Sequence, residues 1–200
     1  MSIVPFGQIK LKDYDKLPPH ITYEQYRQML EVVDEKYGSR KKSDKSEYFR
    51  SRDRLLLRLC WETGARIGDI VEMKVGDVDF KEKILRLRVK KRKNVNHIPL
   101  GDDILLEMSN HIRLFGIKER LFDISYVMAW KIITSYGKAL GIRVHPHMFR
   151  HGLAIHLLKN NVPIPIISAR LGHSSIMTTM NYYLVITPEL QRQYLKNLDL

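Results

Sequence analysis

The chain has 200 residues, enough for one domain with a sizeable hydrophobic core. Its single cysteine, Cys60, excludes an internal disulfide framework and a zinc site built from cysteines. No apolar stretch approaches the roughly 18 residues of a membrane span, and the N-terminus lacks the apolar core of a signal peptide. We therefore expect a cytoplasmic protein without a membrane partner.

The charge balance favours a polyanionic partner. Lysine and arginine together number 34 against 22 aspartates and glutamates, which gives a formal net charge of +12. Residues 81–93 hold eight basic residues against Glu82 alone, so this short stretch carries more than half of the excess. Such clustering predicts nucleic acid as the partner. Charge alone does not separate an enzyme from a passive binder.

The N-terminal part of the chain divides into an extension and a first helix. Residues 1–20 contain three prolines and no clear hydrophobic period, which predicts an extension or linker. Thr22 and Gln25 form a capping-box pattern, and Ile21 and Tyr26 stand where a hydrophobic staple would place them. The first helix is therefore predicted to begin after Thr22.

Further elements follow in the first half of the chain. Residues 38–45 predict a polar loop, and a second helix is expected over about 46–62, ended by Gly64. The segment RIGDIVEM predicts a short helix. The next segment, VGDVDF, predicts a turn and a short strand.

A strand with one basic face is predicted at ILRLRV. Leu85, Leu87 and Val89 alternate with Arg86, Arg88 and Lys90, so the two sets fall on opposite faces. The segment VNHIPL is expected to return as the antiparallel partner, with residues 90–94 as the connecting turn.

The remainder of the chain is predicted to be helical, at about 101–114, 125–140, 147–160, 164–171 and 175–184. A last helix, about 187–198, is expected to start at Thr187, with Pro188 at the first helical position. The predicted fold class is mainly α with a small antiparallel β-sheet. Residues 21–200 would form one catalytic domain.

Five short segments hold polar residues that a packed helical core does not need. They are TGARIGDI, the basic turn, HPHMFRHG, RLGHSS and TTMNYY. In this order they resemble the catalytic motifs of the tyrosine recombinase and phage-type integrase family, over about residues 21–184. That pattern has an arginine after a Thr-Gly turn, a lysine in a β-turn, His-x-x-Arg, Leu-Gly-His, and a tyrosine nine residues after the last histidine.

The resemblance implies a DNA-cleaving site made of Arg66, Lys91, His147, Arg150, His173 and Tyr182. Arginines stay protonated and bind phosphate oxygens in a fork, and the histidines would add hydrogen bonds. His147 would accept the phenol proton, Lys91 would protonate the leaving 5′ oxygen, and Tyr182 would form a 3′-phosphotyrosyl bond. The reaction requires no metal or other cofactor, and we expect no small-molecule substrate.

Two choices stay open in this pattern. The family places its lysine at the start of the turn, which selects Lys91, but strand parity favours Lys90 and Lys93 is within reach. We expect the other basic residues of this hairpin to contact DNA phosphates, namely Arg86, Arg88, Lys90, Arg92 and Lys93.

The doubled tyrosine is the second open choice. The nine-residue spacing selects Tyr182, whereas Tyr183 shares a helical stripe with Ile176 and Met180, which favours a place in the core. A metal site at the clustered histidines is less favoured than phosphate binding, because Met148 stands where a zinc protease helix carries glutamate.

The sequence therefore predicts a site-specific recombinase or integrase that binds double-stranded DNA. A non-catalytic DNA-binding regulator on the same scaffold and a type IB topoisomerase-like enzyme are the alternatives. Family members assemble on paired DNA sites, so self-association is expected, and the last helix would dock on a neighbouring subunit or pack onto its own domain. They usually carry an N-terminal DNA-binding domain, whereas about twenty residues precede the motifs here, so we expect little site-specific binding by this chain alone.

Overall fold

The computed structural model describes residues 17–38, 43–89, 94–173, 175–182 and 195. The helices within these ranges are α1 (Tyr23–Gly38), α2 (Asp44–Thr63), α3 (Ile67–Val71), α4 (Asp102–Leu114), α5 (Tyr126–Ala139), α6 (Pro146–Lys159), α7 (Ile164–Leu171) and α8 (residues 176–182). The strands are β1 (Val78–Asp79), β2 (Ile84–Val89) and β3 (Asn94–Pro99). The predicted fold class, mainly α with a small antiparallel sheet, is confirmed.

The start of α1 follows from its capping residues. The Thr22 hydroxyl accepts the backbone N–H of Gln25 at 3.1 Å, and the Gln25 side chain accepts the N–H of Thr22 at 2.9 Å. Ile21 and Tyr26, on either side of the cap, are both buried. The predicted capping box is therefore confirmed, and it satisfies backbone donors that the first turn would otherwise leave unpaired.

Helix α2 begins two residues earlier than predicted and ends where predicted. Ser43 caps it, because its hydroxyl accepts the N–H of Ser46 at 3.2 Å while the Ser46 hydroxyl accepts the N–H of Ser43 at 3.0 Å. Gly64 ends it with φ of 60°, a left-handed conformation that favours glycine. A side chain at Gly64 would also lie 2.4 Å from Leu171 of α7.

Helix α2 forms the centre of the core and packs against α1, α4, α5 and α6. Four of its leucines have no exposed surface: Leu55, Leu56, Leu57 and Leu59. Asp53, also buried, accepts hydrogen bonds from Tyr37 at 3.0 Å and Tyr136 at 2.6 Å, which joins α1 and α5 to α2. Fully paired buried polar groups of this kind fix the relative position of the helices that they connect.

The sheet has the order β1-β2-β3, with both pairs antiparallel. Leu85 and Leu87 of β2 are buried, whereas Arg86 and Arg88 are exposed. The predicted alternation is therefore confirmed in this part of the strand. Residues 90–93, the predicted basic turn, lie outside the described residues.

Apart from residue 195, the predicted helix after Pro188 lies outside the described residues, as does most of the predicted N-terminal extension. Residues 17–22 form no helix or strand before α1. Among the helices of the described ranges, none combines the length and apolarity needed to cross a lipid bilayer.

Candidate active site

Helix α6 carries the His-x-x-Arg motif and fixes its arginine. Pro146 occupies the first turn, and His147 and Arg150 follow on one face because they are three residues apart. Arg150 is 7% exposed, and its guanidinium donates to the backbone carbonyl of Gly64 at 2.8 Å. This hydrogen bond joins α6 to the turn that directly precedes Arg66.

Arg66 lies at the N-terminal cap of α3, with φ of −70° and ψ of 140°. Its carbonyl accepts the backbone N–H groups of Asp69 at 2.8 Å and Ile70 at 3.1 Å, so the backbone of Arg66 is held by the first turn of the helix. The side chain is half-buried. The Thr-Gly turn predicted to present Arg66 is thus set by the left-handed Gly64 and by this short helix.

The two arginines and His147 influence one another electrostatically. Burial, and next the positive charge of Arg66, lower the pKa of Arg150 to about 10. Burial lowers the pKa of His147 as well, followed by the charges of Arg150, His145 and Arg66. His147 is therefore neutral near pH 7, while the guanidinium of Arg150 remains charged. Two neighbouring positive groups with restricted access to water favour an anionic ligand between them.

Arg66 and His147 line a cleft of about 730 Å³ between α3, α6 and the start of α5. Arg120, Ser125 and Tyr126 contribute to its walls. No local sequence pattern links these three residues to the motifs, so they were not predicted. Both basic and acidic groups border the cleft, the acidic ones being Asp69, Glu72 and Asp123.

Tyr182 lies outside the walls of this cleft, on α8. Its side chain is half-buried and packs against the core and against the ring of His151, with 5.8 Å between ring centroids. Burial raises the pKa of the Tyr182 phenol, while the positive charge of Arg150 acts in the opposite direction. The charge of Arg150, the candidate phosphate-binding arginine, thus acts on the phenol of Tyr182.

The residues of α8 that are buried against the rest of the domain differ from those that were predicted. Thr179 is fully buried, whereas Ile176 is 43% exposed. The prediction that Ile176 belongs to a core stripe is therefore wrong, because Thr179 and Tyr182 are the residues turned inward. Tyr183 lies outside the described residues.

His173 follows Gly172, which ends α7 in a left-handed conformation with φ of 62°. Its Nδ1 atom lies 2.8 Å from the Thr179 hydroxyl oxygen. The imidazole therefore fixes the loop before α8 against the helix that carries Tyr182. The charge of Arg150 thus acts on His147 and Tyr182 and is itself affected by Arg66, and His173 lies beside the helix that carries the tyrosine.

The described part of the basic hairpin carries ion pairs that the sequence did not indicate. Arg86 contacts Asp79 at 2.5 Å, and Arg88 lies 3.6 Å from Asp77. Their side chains are 49% and 80% exposed, so both stay accessible to a large ligand. The candidate general acid Lys91 and the candidate DNA contacts Lys90, Arg92 and Lys93 lie outside the described residues.

The middle of β3 lies beside the loop of His173. Asn96 of β3 donates to the carbonyl of Arg170 at 3.1 Å. A Cβ atom on Gly172 would stand 3.2 Å from the Asn96 side chain. In the described ranges, no three His, Cys, Asp or Glu side chains are grouped so that they could hold a metal ion.

Comparison with known proteins identifies the family of this chain. Residues 20–188 match the phage integrase family. The chain belongs to this family. This membership confirms the resemblance on which the motif analysis rested, and it covers all of the candidate catalytic residues.

Individual proteins that are similar to this member of the phage integrase family support the same assignment. The tyrosine recombinase XerA of Pyrococcus furiosus is 31% identical over 185 residues, which cover 88% of this chain and 60% of that protein. The crystal structure of XerA recombinase has a TM-score of 0.73 at 22% identity, over 91% of this chain and 66% of that one. The chain spans about 60% of the length of the first curated relatives that it matches.

A second solved structure has the same fold. It is the XerH site-specific recombinase bound to palindromic difH substrate, in a post-cleavage complex. Its TM-score is 0.73 at 20% identity, over 90% of this chain and 53% of that one. The scaffold of the candidate site is therefore that of a tyrosine recombinase catalytic domain.

Proposed function

We propose that this chain cleaves and rejoins double-stranded DNA through a covalent bond between Tyr182 and a 3′-phosphate, as a site-specific recombinase or integrase. The convergence of Arg66, His147, Arg150 and Tyr182 carries this proposal. A passive DNA-binding protein needs positive charge, but it has no need of a half-buried phenol beside a buried guanidinium. Residues 21–200 would form the catalytic unit.

The arginines would hold the scissile phosphate. Arg150 is fixed through the Gly64 carbonyl, and Arg66 lines the adjoining cleft. A phosphate between them relieves the repulsion by Arg66 that, after burial, lowers the pKa of Arg150. It also places two forked donors where negative charge grows as the nucleophile attacks. Removing one preorganised donor of this kind typically reduces the rate about 10²–10³-fold.

Tyr182 would then act as the nucleophile. Its Oη–phosphorus bond forms as the bond between phosphorus and the 5′ oxygen breaks, so one phosphoester replaces another and the step is reversible. Burial raises the pKa of the phenol, which keeps it protonated at neutral pH. A base must therefore take the proton, and His147 is the candidate because its own lowered pKa leaves the imidazole neutral.

The leaving 5′ oxygen would receive its proton from Lys91, and His173 would add a hydrogen bond to the phosphate. Arg86 and Arg88, with the neighbouring basic residues of the hairpin, would contact the DNA backbone. Because recombination joins two DNA partners, self-association on DNA belongs to the same proposal.

A trapping experiment tests the nucleophile. The protein is incubated in EDTA with a pool of DNA duplexes of randomised sequence. Each duplex carries one nick, and the position of the nick varies across the pool so that a nick lies close to every possible cleavage point. Cleavage releases a short fragment and leaves the protein attached to the 3′ end. We expect an adduct that survives denaturation, and peptide mapping should place the phosphate on Tyr182.

Two matched variants complete the test. Tyr182→Phe should form no adduct, whereas Tyr183→Phe should form it at nearly the wild-type level. Loss of the adduct in Tyr183→Phe alone would assign the nucleophile to the neighbouring tyrosine. If the wild-type protein forms no adduct on any duplex of the pool, the proposed function is wrong.

A further inference from the structure

The segment that precedes α1, residues 17–21, lies directly on α6. Ile21 is fully buried, and its backbone N–H donates to the carbonyl of Met148 at 3.3 Å. Gly152 makes this approach possible, because a Cβ atom there would stand 2.2 Å from the Ile21 carbonyl oxygen. We call residues 17–21 the entry segment.

A second contact joins the entry segment to His151. The imidazole Nδ1 lies 3.0 Å from the carbonyl oxygen of Pro19. A carbonyl only accepts hydrogen bonds, so Nδ1 must carry the proton. Burial is the main cause that lowers the pKa of His151, which leaves the ring neutral near pH 7 with its lone pair on Nε2. The entry segment thereby fixes both the tautomer and the orientation of this ring.

The same ring lies between two residues of the candidate active site. Its centroid is 6.4 Å from that of His147, with 25° between the planes, and 5.8 Å from that of Tyr182, with 49° between the planes. His151 therefore interacts with the entry segment, with the candidate base and with the candidate nucleophile. His151 is not one of the candidate catalytic residues of the motifs.

We propose that His151 is a positioning residue that couples the entry segment to the nucleophile. The Pro19 carbonyl orients the imidazole, and the imidazole restricts the ring of Tyr182. The proposal rests on the proposed function, since it concerns the aim of the attacking phenol. A displacement of about 1 Å at a reacting atom can cost about 10²-fold in rate, so losing this restraint should slow cleavage without weakening DNA binding.

Single-turnover trapping on the nicked duplexes, with DNA binding measured in parallel, tests the coupling. His151→Phe keeps a ring beside Tyr182 but removes the donor to Pro19. We expect its adduct to form about 10–100-fold more slowly at unchanged affinity for DNA. His156→Phe is the matched control, because His156 is also a partly buried histidine on α6 but stacks on Tyr23, away from the site. Its cleavage rate should equal that of the wild type.

A double-mutant cycle separates coupling from general destabilisation. Pro19→Gly loosens the backbone that presents the carbonyl, so it should slow cleavage in the wild type and have no further effect in His151→Phe. Additive losses, or a His151→Phe rate equal to that of the wild type, would overturn the proposal. If the wild type forms no adduct, the proposed function fails instead.

Nitrogen NMR of the imidazole provides a readout that does not depend on activity. The His151 ring should be in the Nδ1-protonated tautomer in the wild type and should lose this preference in Pro19→Gly. An Nε2-protonated ring in the wild type contradicts the contact to Pro19, and with it the coupling.

Discussion

Replacing Gly152 by alanine sets two effects of opposite sign against each other. In a helix interior, alanine is more favourable than glycine by about 1 kcal/mol, which predicts stabilisation. In this structure, however, the added Cβ would lie 2.2 Å from the carbonyl oxygen of Ile21 and 3.0 Å from a ring carbon of Trp61. Ordinary van der Waals contact requires a separation larger by about 1 Å.

Neither neighbour can move easily. Ile21 is fully buried, and Trp61 is 4% exposed with its ring stacked 4.9 Å from that of Tyr26. Overpacking of this kind costs about 1–3 kcal/mol, and the hydrogen bond from Ile21 to Met148 contributes about 1 kcal/mol more when it is lost. After subtraction of the alanine gain, the free energy of unfolding should fall by about 1–3 kcal/mol.

Thermal unfolding followed by circular dichroism measures this difference. For a chain of this size, a loss of about 2 kcal/mol lowers the midpoint by roughly 4–8 °C. Gly76→Ala is the matched control, because no atom lies within 4 Å of its added Cβ, and its midpoint should stay close to that of the wild type. A Gly152→Ala protein as stable as the wild type would show that the entry segment does not lie on α6 as described.

Two further predictions concern pH and salt. Burial lowers the pKa of His111 to about 4 from its ordinary 6.5, so the stability that its neutral form contributes is complete above pH 6.5 and is lost as the pH falls towards 4. This loss amounts to at most about 3 kcal/mol. The thermal midpoint of His111→Phe should therefore depend less on pH between 6.5 and about 4 than the midpoint of the wild type. Replacing both Arg86 and Arg88 by glutamine should reduce the slope of log binding constant against log salt concentration by about 1–2, measured by fluorescence anisotropy on a DNA duplex. An unchanged slope would remove these two arginines from the DNA-binding surface.

The features that the sequence predicted well are those set by neighbours in the chain. The capping box at Thr22, the left-handed end of α2 at Gly64 and the alternation of β2 each depend on a few adjacent residues. Helix α2 starts two residues before the predicted position, because Ser43 and Ser46 form a cap there.

Features of the site that depend on distant segments escaped prediction. The ion pair of Arg86 with Asp79 exists because the sheet register brings β1 beside β2. Tyr126 enters the cleft through the packing of α5 near α3, whereas Arg120 is held there by its hydrogen bond to the carbonyl of Val71 at 3.0 Å. The contact of His151 with Pro19 joins residues 132 positions apart in the chain. No local period or motif contains such information.

The acceptor that holds Arg150 belongs to the main chain, and this has a consequence for how the site tolerates change. A carboxylate partner would cancel the charge of the guanidinium, whereas the Gly64 carbonyl offers only a dipole and leaves the cation available for a ligand. Amino-acid replacement can delete a carboxylate but cannot delete a peptide oxygen. The anchor of this arginine therefore persists through mutation for as long as the turn keeps its left-handed geometry.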